Sequence, residues 1–380
     1  MTKPDARLEF RFADGLRGIA ALGVALFHTY AFTGTTTSPD QLPIFFKIMA
    51  LGNYAVPVFI VLSGFVLMLP VARTLRLKHG TWTFIKRRAR RILPPYYAAI
   101  ALFLLLIAFT PMLHEPHGTA WDSKIPVTLA GVVSHVFLVH NVNPEWIYLI
   151  DGPAWSVATE WQIYFALPFM LLPFWRRFGG AVTVTTAVAI GASVHYALPW
   201  LDDAHFWFIG LFAMGMWAAH AVVHMTPLPR PGLVIASMLI IAGGAAVAPW
   251  SLTWVAESAV GAACAIVLVL LARQSLAGRP GHLRGVLESW PLLGIGKWSY
   301  SLYLVHSPIL ALGNLLLLPI HLPVLVHFAV MTFAVLPAAC AVSYGFYLIV
   351  ERHFLTSHQK STTASAHKLQ ENRQREADRK

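Results

Sequence analysis

An arginine and a histidine, Arg17 and His28, stand eleven residues apart in "ADGLRGIAALGVALFHTYAF", a run that is otherwise nearly all apolar or Gly. Ionisable groups inside a bilayer are costly enough to be rare, so each marks a site. Eleven residues of α-helix turn through roughly 1100°, three turns plus about 20°, and rise about 16 Å, which puts both side chains on one face at different depths. That is the geometry of a pathway lining. Alone, Arg17 would be an ordinary topology marker at a cytoplasmic helix end, and His28 a hydrogen-bonded core imidazole. Together they pair a group that can hold an anion with one that can move a proton.

Further polar residues gather in three places. In "FIKRRARRILPPYY" Arg88 and Arg91 lie three apart on what the spacing predicts to be a short helix, stopped or kinked by Pro94 and Pro95. Two guanidiniums on one face could hold a phosphate bidentately; the plainer account is positive-inside charge beside anionic lipid. In "DGPAWSVATEWQIYFALP" the Asp-Gly-Pro opening at Asp151 predicts a helix start. Glu160 and Tyr164 follow on one helical face, expected among Trp155, Trp161 and Phe165. A carboxylate there must pair with a cation or keep its proton, and either state could serve acid or base chemistry as well as a structural ion pair. "GKWSYSLYLVHSP" carries Ser299, Tyr300, Tyr303 and His306, while Glu351, Arg352 and His353 are read as a cytoplasmic boundary. His220 and His224 have the spacing of a zinc pair without a third ligand, "HEPH" at 114–117 lacks helical metal-site spacing, and Cys264 and Cys340 sit in apolar runs, so no metal is expected.

The elements that must position these groups cross a membrane. The chain has 380 residues, 57% of them apolar and only 12% charged, with a positive mean hydropathy, which excludes an ordinary soluble domain. The charged N-terminus leads into the first span with no small-residue cleavage site, so that span is expected to be retained. Runs long enough for about 20 residues of helix fall near 16–34, 47–70, 93–113, 154–174, 180–199, 205–223, 232–249, 253–272, 297–318 and 324–349. The stretch 126–142 is shorter and suits a re-entrant or interfacial segment. The net charge of +11 is concentrated in Lys/Arg clusters beside spans rather than in a nucleic-acid-binding surface. Ten spans place every such cluster inside and leave outer loops such as "HEPHGTAWD" nearly free of Lys and Arg. The expectation is an all-α, multi-pass protein of the cell inner membrane with both ends cytoplasmic, a membrane domain over 10–352 and a disordered polar tail over 353–380.

These segments, in this order, resemble the integral-membrane acyltransferase 3 family. The matching stretches are "FRFADGLRGIAALGVALFH", "GNYAVPVFIVLSGFVL", "KRRARRILPPYY", "GPAWSVATEWQIYF", "IGKWSYSLYLVHSPI" and "SYGFYLIVE", which run from residue 10 to 351. The resemblance implies transfer of an acyl group from coenzyme A onto an extracytoplasmic sugar or related acceptor. It implies roles for Arg17 and His28, for the loop arginines Arg88 and Arg91, for Glu160 and for His306. On that basis His28, Arg17 and Glu160 are the expected catalytic residues. Arg88, Arg91 and Arg17 are expected to bind the acyl-CoA donor, acetyl-CoA by preference, while His306, Tyr300 and Tyr164 line the acceptor site. Expected partners are a carbohydrate or glycolipid acceptor, acyl-CoA and membrane lipids, with no nucleic acid. Some family members append a soluble hydrolase-like domain; about 30 polar residues end this chain instead, so the membrane part is expected to act alone or with a separate partner.

A proton-coupled transporter or flippase for a sugar or lipid-linked sugar would use the same intramembrane His, Glu and Arg. Transporters commonly show related halves, and no internal repeat links the first five spans to the last five, which favours the enzyme.

Overall fold

Apolar backbone in a bilayer has no water to bond, so it closes its hydrogen bonds within helices. The computed structural model describes residues 10–34, 48–247 and 252–355, and among these the regular structure is helical with no strand. The elements are α1 (Arg11–Gly34), α2 (Ala55–Met68), α3 (Gly80–Phe109), α4 (Leu129–Val136), α5 (Trp155–Ala166), α6 (Leu172–Phe178), α7 (Gly180–Ala197) and α8 (Phe208–Val223), followed by α9 (Pro231–Ala246), α10 (Thr253–Leu276), α11 (His282–Leu287), α12 (Trp290–Lys297), α13 (Ser299–Leu317), α14 (Val324–Val330) and α15 (Leu336–Ile349). Among the described residues, each of the ten predicted runs is mainly helical. Seven helical segments are long and apolar enough to cross a membrane, and α8 and α9 are apolar but shorter, so the chain is a polytopic all-α membrane protein. The predicted tail lies outside the described residues from 356 onward.

One segment keeps to its sequence pattern and one departs from it. The stretch 126–142 forms only the 8-residue α4, about 12 Å of helix, followed by irregular chain and a 3₁₀ turn, so it cannot cross about 30 Å of hydrocarbon. The basic loop is not a short helix stopped at its prolines: α3 continues through Pro94 and Pro95 for 30 residues. Each proline removes one donor, so residues 94 and 95 give no helical hydrogen bond to the carbonyls of Arg90 and Arg91. The next carbonyl, Ile92 O, accepts the Tyr300 hydroxyl at 3.1 Å, so α13 clasps α3 where its own ladder is weakest.

Helix α1 is central, packing on α2, α11, α12 and α13, while α13 also meets α3 and α15. Its approach to α11 and α12 depends on glycine. A Cβ on Gly15 would stand 1.8 Å from Leu287 O, and one on Gly296 would stand 2.0 Å from Asp14 O. Small residues let membrane helices touch backbone to backbone, and here that contact fixes the first turns of α1, from which Arg17 projects.

Candidate active site

An open cavity of about 830 Å³, counting the space at its mouth, is walled by α1, α2, α3, α5 and α13. Arg17, Arg88, Arg91, Glu160, Tyr164 and Tyr300 all line it, together with Ser63, Ser156, Ser299 and Tyr303. Six of the eight sequence-predicted site residues therefore share one chamber. The guanidiniums come from two helices. Arg17 is held by Asp14, one turn earlier, at 2.5 Å. Arg88 lies within electrostatic reach of Arg91, Arg17, Glu160 and Tyr164, and its Nε has no hydrogen-bond partner among the described residues. Guanidinium forks gathered round one cavity suit phosphate oxygens.

Glu160 lies on the cavity wall. Its Oε1 accepts the Ser63 hydroxyl at 2.6 Å and that of Tyr164, and its charge faces Arg88. Trp161 packs edge-on against Phe165, and Trp155 stacks on His205. Glu160 thus balances the arginines and has no bond to His28.

Tyr303 lines the chamber on the side of His306, its hydroxyl donating to Pro153 O at 2.8 Å and meeting Ser156 Oγ at 2.5 Å. Three residues further along the same helix, His306 reaches His28, with His306 Nε2 to His28 Nδ1 at 3.1 Å. Neither histidine lines the arginine chamber; they meet each other beyond Tyr303. The hydrogen bonds assign the tautomers of the neutral rings. His306 Nδ1 lies 2.8 Å from Leu302 O and must donate to it, so His306 Nε2 is an acceptor. His28 Nδ1 then faces two acceptors, that nitrogen and Val24 O at 2.9 Å, and must carry its proton. The lone pair of His28 is left on Nε2, which has no hydrogen-bond partner among the described residues.

Several site residues were hidden in the sequence. Ser63 sits in an apolar span 97 residues from the carboxylate it bonds. Glu351, read as part of a boundary, is buried and accepts both the backbone N–H of Ser301 at 3.0 Å and its hydroxyl at 2.5 Å, with Arg91 in electrostatic reach. Tyr303 was in view, since Tyr300, Tyr303 and His306 share one helical face. Among the described residues no group of three or more metal-ligating side chains comes together.

The model of a family described as an acyltransferase domain matches residues 10–348. The chain is 28% identical over 327 residues to acyltransferase MdmB of Streptomyces mycarofaciens, covering 80% of this chain and 79% of that protein. It is 26% identical over 381 residues to the putative membrane-bound transacylase BcsY of Komagataeibacter xylinus, covering 93% and 85%. To O-acetyltransferase OatA of Staphylococcus aureus it is 24% identical, covering 91% of this chain and 58% of the longer relative. No solved structure matches. A family model spanning nearly every described helix, over a chamber built from the same motifs, places this chain in the acyltransferase 3 family, as a membrane-bound acyltransferase.

Proposed function

We propose that the protein is an O-acyltransferase of the inner membrane, with ten spans and cytoplasmic ends, that moves an acetyl group from cytosolic acetyl-CoA to a hydroxyl of an extracytoplasmic or lipid-linked carbohydrate. The observation that carries this reading is one helix holding Arg17 in a chamber with Arg88 and Arg91 while presenting His28 about 16 Å further along. Coenzyme A is polyanionic at its nucleotide end and apolar along its thiol arm. The arginines would hold the phosphates, and the arm would follow α1 past Tyr303 to bring the thioester to His28. OatA, an O-acetyltransferase by name, supports the acetyl group.

In this scheme the acceptor oxygen attacks the acyl carbonyl as its proton passes to His28 Nε2. The tetrahedral intermediate collapses, the C–S bond breaks, and the same proton returns to the departing thiolate, giving an ester and free coenzyme A. His28 Nδ1–H stays bonded to Val24 O and His306 Nε2 throughout, so the imidazolium forms against two fixed acceptors. Tyr300 and Tyr164 brace the donor chamber through Ile92 O and Glu160.

Replacement of both Arg88 and Arg91 by Ala is expected to weaken acetyl-CoA binding to purified protein on the order of a hundredfold, since charge-assisted contacts contribute about 1.5 to 3 kcal/mol each. Lysines at both positions should recover only part of it, being point charges rather than forks. Unchanged affinity in the double Ala variant would leave the arginines a topological role only.

A further inference from the structure

Two buried charges in the segment between α3 and α5 are unused by this mechanism. Asp151 is 1% exposed, and neither of its carboxylate oxygens has a hydrogen-bond partner among the described residues. Lys124, 7% exposed, ends the 3₁₀ turn Ala120–Lys124. Its ammonium donates to Ala120 O at 3.1 Å and Ser123 Oγ at 2.5 Å and lies over the Tyr148 ring, 5.5 Å from its centroid, which leaves one of three N–H groups without an oxygen or nitrogen acceptor. Backbone holds the two residues together: Ile150 N–H donates to Lys124 O at 3.1 Å, and a Cβ on Gly152 would stand 2.9 Å from Lys124 Nζ. Yet Lys124 and Asp151 form no ion pair. The pairs within 4.0 Å among the described residues are Arg17 with Asp14, His195 with Asp202 and Arg284 with Glu288.

Their surroundings are those of the reacting end. Lys124 is within electrostatic reach of His28, and Asp151 is within reach of Tyr303, which lines the donor chamber, and of Tyr96. Burial pulls the Lys124 ammonium down to about 8 and pushes the Asp151 carboxyl up, each offset in part by the other. Burying opposite charges so close without joining them forfeits the contact that would offset their desolvation. A hydroxyl both donates and accepts, and an ammonium with a spare N–H beside a carboxylate with spare lone pairs is its complement.

We propose that Lys124 and Asp151 form the acceptor subsite, gripping hydroxyls of the carbohydrate beside His28. The proposal rests on the acyltransferase reading and adds to it the residues that hold the second substrate. Lys124 donates to an acceptor oxygen and Asp151 accepts a hydroxyl proton, fixing the sugar while His28 works on the neighbouring hydroxyl. Both groups are buried, so the proposal requires the turns of the 111–153 segment to part for the acceptor to reach them.

The test compares wild type with Lys124→Met/Asp151→Asn, which removes both charges at similar volume, and with Asp151→Asn alone, which keeps the lysine and a carbonyl acceptor. Three quantities are read: alkali-labile O-acetyl ester on the envelope carbohydrate of cells producing each variant, acetyl-CoA binding to the purified protein by calorimetry, and its Tm. The double variant should lose transfer about tenfold or more, with acetyl-CoA affinity unchanged and Tm level or higher, and Asp151→Asn alone should recover part of the transfer. Wild-type ester levels in the double variant would overturn the subsite, and so would a fall in Tm or donor affinity in step with transfer. A wild-type protein that neither binds acetyl-CoA nor adds ester would fail the acyltransferase reading itself.

Discussion

The two ends of α1 work in opposite media. Around Arg17 the chamber is open and lined by three guanidiniums, with Asp14, Glu160 and Glu351 as the carboxylates in their reach. Around His28 the polar groups are fewer, and His306, which it meets, and Lys124, in its electrostatic reach, are both buried. A donor end must draw a polyanion out of water, which calls for exposed, fork-shaped positive charge. A reacting end must keep water from the thioester, which calls for burial and for hydrogen bonds arranged before the substrate arrives. One helix meets both demands because its rise separates the two sites while its periodicity keeps them on one face.

The comparison predicts that substitutions at the His end leave donor binding alone. His306→Ala removes an acceptor from the His28 imidazolium and should lower transfer roughly ten- to hundredfold, since a hydrogen bond to a charged group is worth about 1.5–3 kcal/mol. His306→Gln can offer an oxygen to His28 Nδ1 and should recover part of that loss. Acetyl-CoA affinity should be unchanged in both, as measured by calorimetry; a fall there would merge the two ends into one site.

A smaller effect comes from pH. Lys124 is held at about 8, below its ordinary value, by burial. Above that pH it loses its charge, so transfer should decline severalfold between pH 7.5 and 9 on the order expected for one lost charged contact. Its contribution to stability has the opposite sign: the unfolded chain binds more protons than the folded one between pH 8 and about 10.4, so this lysine makes the protein more stable as pH rises through that window. Lys124→Met should abolish both trends. An unaltered pH profile of transfer in that variant would assign the decline to another group.

The donor end was the more legible of the two. Arg17 and His28 announce themselves because charge in an apolar run is rare and helix periodicity is regular, and the ten helical segments follow from the same apolar pattern. Arg88 and Arg91 were visible as a pair, although the prolines after them hid that α3 runs on. The acceptor end was obscure for a physical reason. Lys124 and Asp151 are brought together by 3₁₀ turns and irregular chain, where spacing has no period to read, and Asp151 resembled a helix start. Glu160 was found, but its partners Ser63 and Arg88 come from other helices, so its role as a counter-charge to the arginines waited on the fold. Glu351 was masked by its neighbours Arg352 and His353, which make the sequence look like a membrane boundary.

The account turns on His28 as the group that moves the proton, with Nε2 free and Nδ1 fixed. Purified His28→Ala and His28→Gln proteins, shown to be folded by Tm, should bind acetyl-CoA as wild type does. Both should transfer the acetyl group about 100- to 10,000-fold more slowly, the usual loss when a general base is removed. Gln can imitate the hydrogen bonds of a packed imidazole but cannot take a proton at neutral pH. Near-normal turnover in the Gln variant, with donor binding intact, would contradict the assignment.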